Sequence, residues 1–259
     1  MALPAQERQQ LEQTAKELRL KIIDVMSWSG GAHVGGSMSI VEILTLLYFK
    51  YLNIDPENPC WEDRDRFILS KGHTAAGYIP VLAKRGYFPE DTLKTFNHFG
   101  SPFAMHPDCN KVTGCDASAG SLGHGLSMAV GLGLGAKYRK KDYKTVCLMG
   151  DGECCEGSVW EAAMSAAHFK LDNVIGIVDR NRLMIDGFNL SFEDNVYIKS
   201  AVKLNGTTAE ALGSNFEMLF WTAPQTAYTK GSESFSAKSI GDETINNTSY
   251  EIFKYTELA

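Results

Sequence analysis

Asp151 stands between two glycines in Gly150-Asp151-Gly152-Glu153, directly after the apolar run Val146-Cys147-Leu148-Met149. Asn181 follows a second apolar run, Asn173-Val174-Ile175-Gly176-Ile177-Val178, in the segment Asp179-Arg180-Asn181. A carboxylate, an amide oxygen and a backbone carbonyl just beyond Asn181 form a set of hard oxygens suited to a small divalent cation such as Mg²⁺, with positions left for phosphate and water. Gly152 has no side chain to hold a ligand away, so the N–H groups that open the following helix can close on a diphosphate. Three histidines occupy loops: His33 in Gly30-Gly31-Ala32-His33-Val34-Gly35-Gly36, His73 in Lys71-Gly72-His73, and His106 in Ser101-Pro102-Phe103-Ala104-Met105-His106-Pro107. The glycines beside His33 permit a ligand to approach closely.

Positioning these groups requires a strand, a helix and a second strand. The two apolar runs bracket a helical pattern from about Ser158 to Phe169, and a unit of this kind lays its strands parallel, both ending on the sheet edge where open α/β folds bind ligands. Asp151 and Asn181 are therefore expected to converge. Upstream, 5–27 reads as an amphipathic helix with Leu11, Leu18, Ile22 and Val25 on one stripe, stopped by Ser27-Trp28-Ser29-Gly30-Gly31. A second helix is predicted from a capping box, Ser39 to Glu42, onward through Ile43, Leu44, Leu47 and Tyr48. Arg66-Phe67-Ile68-Leu69-Ser70 reads as a buried strand feeding His73 and a helix from Thr74 to Arg85, and Gly120-Ser121-Leu122-Gly123-His124-Gly125 opens a small-residue helix through Ala136.

Gly150-Asp151-Gly152, with Asp179-Arg180-Asn181 and Ile185-Asp186-Gly187 at this spacing, resembles the thiamine diphosphate motif of transketolases. The resemblance implies a three-layer α/β/α fold with a mostly parallel, doubly wound sheet. It assigns metal ligation to Asp151, Asn181 and the carbonyl of Leu183, and cofactor contact to Gly150, Asp151, Gly152 and Asn181. It extends to His33, His73, His106 and the loop carrying Gly120 and Leu122, implying substrate and proton-transfer contacts for His33 and His106, diphosphate contact for His73, and aminopyrimidine contact for Gly120 and Leu122. Glu156 and Glu161 match glutamates that connect paired active sites across a subunit interface, which puts Glu161 among the expected catalytic residues. The chain departs from the family where Gly31-Ala32-His33 alters the first loop and where Ser121 and His124 replace Pro and Gln.

The implied cofactors are thiamine diphosphate and Mg²⁺ or another divalent cation. The implied activity is transfer of a two-carbon ketol unit from a ketose phosphate to an aldose phosphate, as in the pentose phosphate pathway. The glutamate that activates the aminopyrimidine lies, in this family, in a separate pyrimidine-binding domain for which 259 residues leave no room. The expectation is thus the N-terminal subunit of a split transketolase, needing a C-terminal partner and pairing homodimerically within a heterotetramer. The alternatives are a component of another thiamine diphosphate enzyme, akin to deoxyxylulose-phosphate synthase or a 2-oxo acid dehydrogenase, or a truncated non-catalytic subunit. The histidine series favours transketolase over the two other enzymes. The resemblance ends near Gly187, giving an expected diphosphate-binding domain at 1–187 and an unmatched tail at 188–259 that contains no His or Cys.

Composition is ordinary for a soluble globular protein. Hydrophobic residues make up 44% and charged residues 22%, and a net charge of −6 argues against a nucleic-acid surface. Charged residues in the first turns leave no apolar signal core, no apolar run is long enough to span a bilayer, and the six cysteines lack zinc or CxxC spacing, so a cytoplasmic protein with reduced thiols and no membrane partner is expected.

Overall fold

A computed structural model describes residues 3–181 in full and, beyond them, the backbone of strands at 183–184, 187–188, 217–221, 235–245 and 248–257. Helix α1 (Ala5–Ser29) buries Ala15, Leu18, Ile22 and Val25 at helical spacing and ends at Gly30, whose φ of 71° places it in the left-handed region. Short helices α2 (Val34–Met38) and α3 (Val41–Leu46) follow, the latter passing into one wider π-type turn, Leu47–Tyr51. The predicted capping box does not form. The Ser39 hydroxyl turns instead to Asp179 and to the carbonyl of Gly36, while Glu42 pairs with Arg19, so both side chains are taken by partners distant in sequence.

The sheet is built from β1 (Arg66–Leu69), β2 (Thr145–Gly150) and β3 (Val174–Asp179), joined by α4 (Ala75–Arg85), α5 (Gly125–Arg139) and α6 (Gly157–His168). Arg66 pairs with Thr145 and Leu69 with Leu148, and the β2–β3 register runs from Thr145 opposite Val174 to Gly150 opposite Asp179, all parallel. The short pair β4 (Leu183–Met184) with β5 (Gly187–Phe188) and the longer pair β7 (Phe235–Ile245) with β8 (Thr248–Glu257) are antiparallel. Between them in sequence, β6 (Glu217–Trp221) lies parallel beside β3, giving the sheet order β1-β2-β3-β6. The expected reading of Ile185-Asp186 lies outside the described residues.

Strand alternation divides the core into two layers. Phe67, Leu69, Val146, Leu148 and Ile177 face α1, α3 and α4. Ile68, Cys147, Met149, Val174 and Val178 face α5 and α6. Helices on both faces of a parallel sheet make the expected three-layer α/β/α arrangement, and the near-continuous apolar character of β2 and β3 follows from burial on both sides. Gly133 lets α5 close on β3, because a Cβ there would stand 2.2 Å from Val174 Cγ2. All six cysteines are free thiols. No helix among the described residues is long and apolar enough to cross a membrane.

Candidate functional site

The C-terminal ends of β1, β2 and β3 deliver Ser70-Lys71-Gly72-His73, Gly150-Asp151-Gly152 and Asp179-Arg180-Asn181 to one edge of the sheet. The Asp151 N–H donates to the Asp179 carbonyl at 3.1 Å, continuing the pairing one residue past β2. The Asp151 carboxylate then accepts from Gly152 N–H at 3.0 Å and opens a 3₁₀ turn over Gly152–Cys155. Asp151, Gly152 and Asn181 are half-buried, so the two oxygen-bearing side chains sit on neighbouring strand ends within reach of solvent. Leu183 begins β4; its side chain lies outside the described residues.

The histidines converge on the same edge. The rings of His33 and His73 meet edge to face with centroids 5.0 Å apart. His106 lies against Gly72: a Cβ on that glycine would lie 3.2 Å from His106 Cδ2 and 2.1 Å from the Ala119 carbonyl oxygen. Gly72 therefore lets three segments, around His73, around His106 and the loop leading to Gly120 and Leu122, close on one another. Burial, then the Lys71 ammonium and the other two histidines, push the His73 imidazole pKa down to about 4. It is neutral at pH 7, with one ring N–H to donate. His33, His106, Gly120 and Leu122 are exposed.

Glu156 packs against Gly123 in the loop that carries Gly120 and Leu122, where an added Cβ would stand 2.6 Å from Glu156 Cβ. Glu156 precedes α6, Glu161 lies on it, and both are exposed. Cys154 is buried and Cys155 exposed, unbridged, and burial raises the Cys154 thiol well out of the range of a reactive thiolate.

Two polar groups beneath the edge have no counterpart in the sequence reading. Lys71 and Asp179 form an ion pair at 2.6 Å with side chains 5% and 1% exposed, and Ser39 Oγ donates to the same Asp179 oxygen at 2.5 Å. The other oxygen, Asp179 Oδ1, is buried without a hydrogen-bond partner. Glu153, also buried, accepts from Ser70 Oγ at 2.5 Å, Gly123 N–H at 2.7 Å and Gly150 N–H at 2.8 Å. Burial pushes its carboxyl pKa up, opposed by the Ser70 hydroxyl, the two amides and Lys71. The signal that could have found the first pair was present: Lys71 and Asp179 each close an apolar strand of one parallel sheet, and charges buried there need each other.

The donor chemistry fits a metal diphosphate. No group of three or more His, Cys, Asp and Glu able to hold a metal occurs among the described residues, so a cation here would rest on mixed oxygens: the Asp151 carboxylate, the Asn181 amide and a backbone carbonyl. That set suits Mg²⁺ and leaves room for phosphate oxygens. The neutral His73 and the open backbone at Gly120, where an added Cβ would meet nothing within 4 Å, suit an extended anionic ligand lying along the edge.

Comparison with known proteins agrees. The family model described as transketolase, thiamine diphosphate binding domain, matches residues 10–205. One subunit of the apulose-4-phosphate transketolase of Actinobacillus succinogenes is 48% identical over 180 residues, 69% of this chain and 65% of that protein. The 6-deoxy-6-sulfo-D-fructose transketolase subunit SqwG of a Clostridium strain is 42% identical over 178 residues, again 69% of this chain and 65% of the relative. The matched part is just under two thirds of the length of each. Among solved structures, transketolase from Campylobacter jejuni superposes with a TM-score of 0.71 and 29% identity, over 86% of this chain and 38% of that one. With the matched segment spanning most of the chain and the strand-edge geometry in place, the protein belongs to the transketolase family and carries that family's thiamine diphosphate binding domain.

Proposed function

We propose that this chain is the N-terminal subunit of a split transketolase, active with a C-terminal partner that supplies the pyrimidine-binding domain. The observation that carries the reading is the convergence of His33, His73 and His106 on the strand edge that also bears Asp151 and Asn181. A metal diphosphate site alone would not need three imidazoles beside it. Relatives that are themselves named as single subunits of a transketolase support division of the enzyme into separate chains.

In this reading Asp151, Asn181 and the Leu183 carbonyl hold Mg²⁺, and Gly150, Gly152 and His73 take the diphosphate. Gly120 and Leu122 meet the aminopyrimidine end. Thiamine diphosphate, when bound, supplies the carbon nucleophile and the electron sink for ketol transfer. The protein's part is to bind, orient and move protons. His33 and His106, exposed at the mouth, are the groups that take and return protons at sugar hydroxyl and carbonyl oxygens, and the neutral His73 orients phosphate by donation. The substrates are a ketose phosphate donor and an aldose phosphate acceptor, and the compartment is the cytoplasm, supported by six free thiols.

Residues 1–187 form the functional domain, with β6 as a further sheet strand drawn from the 188–259 segment. Pairing of two copies within a heterotetramer is supported by apolar side chains exposed on α5 and α6, among them Met128, Leu134, Tyr138 and Met164. It would bring Glu161, exposed on α6, to the interface and so toward the neighbouring site.

The test is ketol transfer from a ketose phosphate, assayed with the purified chain alone and during titration with a candidate C-terminal subunit. The expected result is no turnover alone, turnover on mixing, and tighter Mg²⁺-dependent thiamine diphosphate binding in the mixture. Robust turnover by the chain alone would refute the division of the site, and no turnover with the cognate partner would refute the assignment as an active subunit.

A further inference from the structure

The Glu153 carboxylate holds more of the strand edge together than any other side chain described above. Its Oε1 accepts from Gly150 N–H, at the start of the turn that carries Asp151, while its Oε2 accepts from Gly123 N–H, across the site. The Ser70 hydroxyl donates to Oε2 and in turn accepts from Gly125 N–H at 3.1 Å. Gly123 is also bound through its carbonyl, which accepts from Ser158 Oγ at 3.0 Å, and it has a φ of +84° in which an added Cβ would stand 2.6 Å from Glu156 Cβ. Three separate pieces of chain, the end of β1, the loop 120–125 and the turn after β2, are thereby joined through one buried carboxyl group. Buried networks in which every arm is satisfied rigidify what they join.

We propose that Glu153 is a positioning residue which locks the 120–125 loop onto the 150–152 turn, so that both ends of the cofactor cradle are held at a fixed separation before thiamine diphosphate arrives. This rests on the functional reading above. Asp151 faces the metal diphosphate and Gly120 and Leu122 face the other end of the cofactor, whereas Glu153 is turned inward and touches neither. Its effect is on the distance between them. A cradle held in its bound shape spends no binding free energy on ordering. A ligand that spans both loops gains from the clasp, and a ligand that needs only the turn gains little.

That difference supplies the test. Binding of thiamine diphosphate and of inorganic pyrophosphate, each with saturating Mg²⁺, is measured by calorimetry on the full chain, on Glu153→Gln and on Ser70→Ala. Deuterium uptake is followed over peptides covering 119–125 and 149–152. Glu153→Gln keeps the shape but turns an amide N–H₂ toward groups that are themselves donors, and Ser70→Ala removes one arm without touching the charge. The expected result is at least a tenfold loss of thiamine diphosphate affinity in Glu153→Gln and at least threefold in Ser70→Ala, less than a threefold loss for pyrophosphate in either, and faster exchange over 119–125 in both. Should Glu153→Gln fail to fold, the Ser70→Ala comparison decides on the same criteria. Unchanged thiamine diphosphate affinity alongside faster exchange would overturn the inference, and so would equal losses for the two ligands, which would mean that the turn alone is disturbed. Where the unaltered chain binds only when mixed with its C-terminal partner, the same comparison is made in the mixture; if it binds neither ligand even there, the functional reading itself fails and the inference falls with it.

Discussion

Replacing Lys71 by methionine strips the ammonium from a carboxylate that has almost no access to water. The Asp179 side chain is 1% exposed and Lys71 Nζ lies 2.6 Å from Oδ2, while Oδ1 is buried and already unpartnered. Methionine keeps most of the aliphatic stem and volume, so the perturbation is loss of charge and not a cavity. Breaking a buried pair by removing one member costs about 3–5 kcal/mol, because the remaining charge is left uncompensated. The Ser39 hydroxyl remains on Oδ2, which points to the lower end, about 3 kcal/mol. At roughly 2–4 °C per kcal/mol for a chain of this size, the melting temperature should fall by about 6–12 °C. The double variant Lys71→Met/Asp179→Leu should be less destabilised than Lys71→Met alone, since it removes the stranded charge. The assay is urea unfolding followed by circular dichroism on the two singles and the double, read as a double-mutant cycle. A Lys71→Met variant within about 1 kcal/mol of the unaltered chain, or a double whose loss equals the sum of the singles, would refute the reasoning.

Asp151→Ala should abolish Mg²⁺-dependent thiamine diphosphate binding, because it removes the sole full charge from the proposed metal ligands; calorimetry with and without Mg²⁺ checks it. The His73 imidazole pKa is held at about 4 in the fold against an ordinary 6.5, so the unfolded chain binds more protons between those values and stability should fall as pH drops through that window. With the ring half-exposed, the contribution is on the order of 1–2 kcal/mol, and a His73→Gln variant should lose that part of the pH slope in urea titrations at pH 7 and pH 4.5. Gly72→Ala places a Cβ 2.1 Å from the Ala119 carbonyl oxygen and should cost about 1–3 kcal/mol of stability by overpacking. It should also weaken thiamine diphosphate binding, and unchanged affinity in a folded variant would count against the loop contact as part of the site.

Local pattern carried the central unit well. The apolar runs of β2 and β3 and the helix between them appear within a residue or two of their expected bounds, because a strand buried on both faces must be apolar throughout and leaves an unmistakable run. Asp151 and Asn181 follow those runs directly, so their convergence required only that the strands be parallel. His33 and His106 were legible as loop residues, and His73 as the residue past a buried strand, where a 3₁₀ turn forms over Gly72–Thr74, but not their mutual contact: Gly72 brings the His106 segment close through a backbone approach from Ala119, and no spacing in sequence announces which carbonyl a glycine is making room for.

What remained hidden shares one physical cause, which is competition between near and far partners. Ser39 and Glu42 have the spacing of a capping box, a local device whose worth is about 1 kcal/mol. Ser39 instead donates to a buried carboxylate 140 residues away, where leaving Asp179 with one hydrogen bond fewer would cost more than a helix end can return. Glu153 presents the same problem in reverse. Next to Asp151 in an acidic turn it resembles another solvent-facing carboxylate, yet it is 2% exposed because Ser70, Gly123 and Gly150 all present donors to the one space it can reach. The charged residues that organise this strand edge are therefore those whose partners lie on other strands and loops, and they become visible only once the parallel register has brought the three strand ends together.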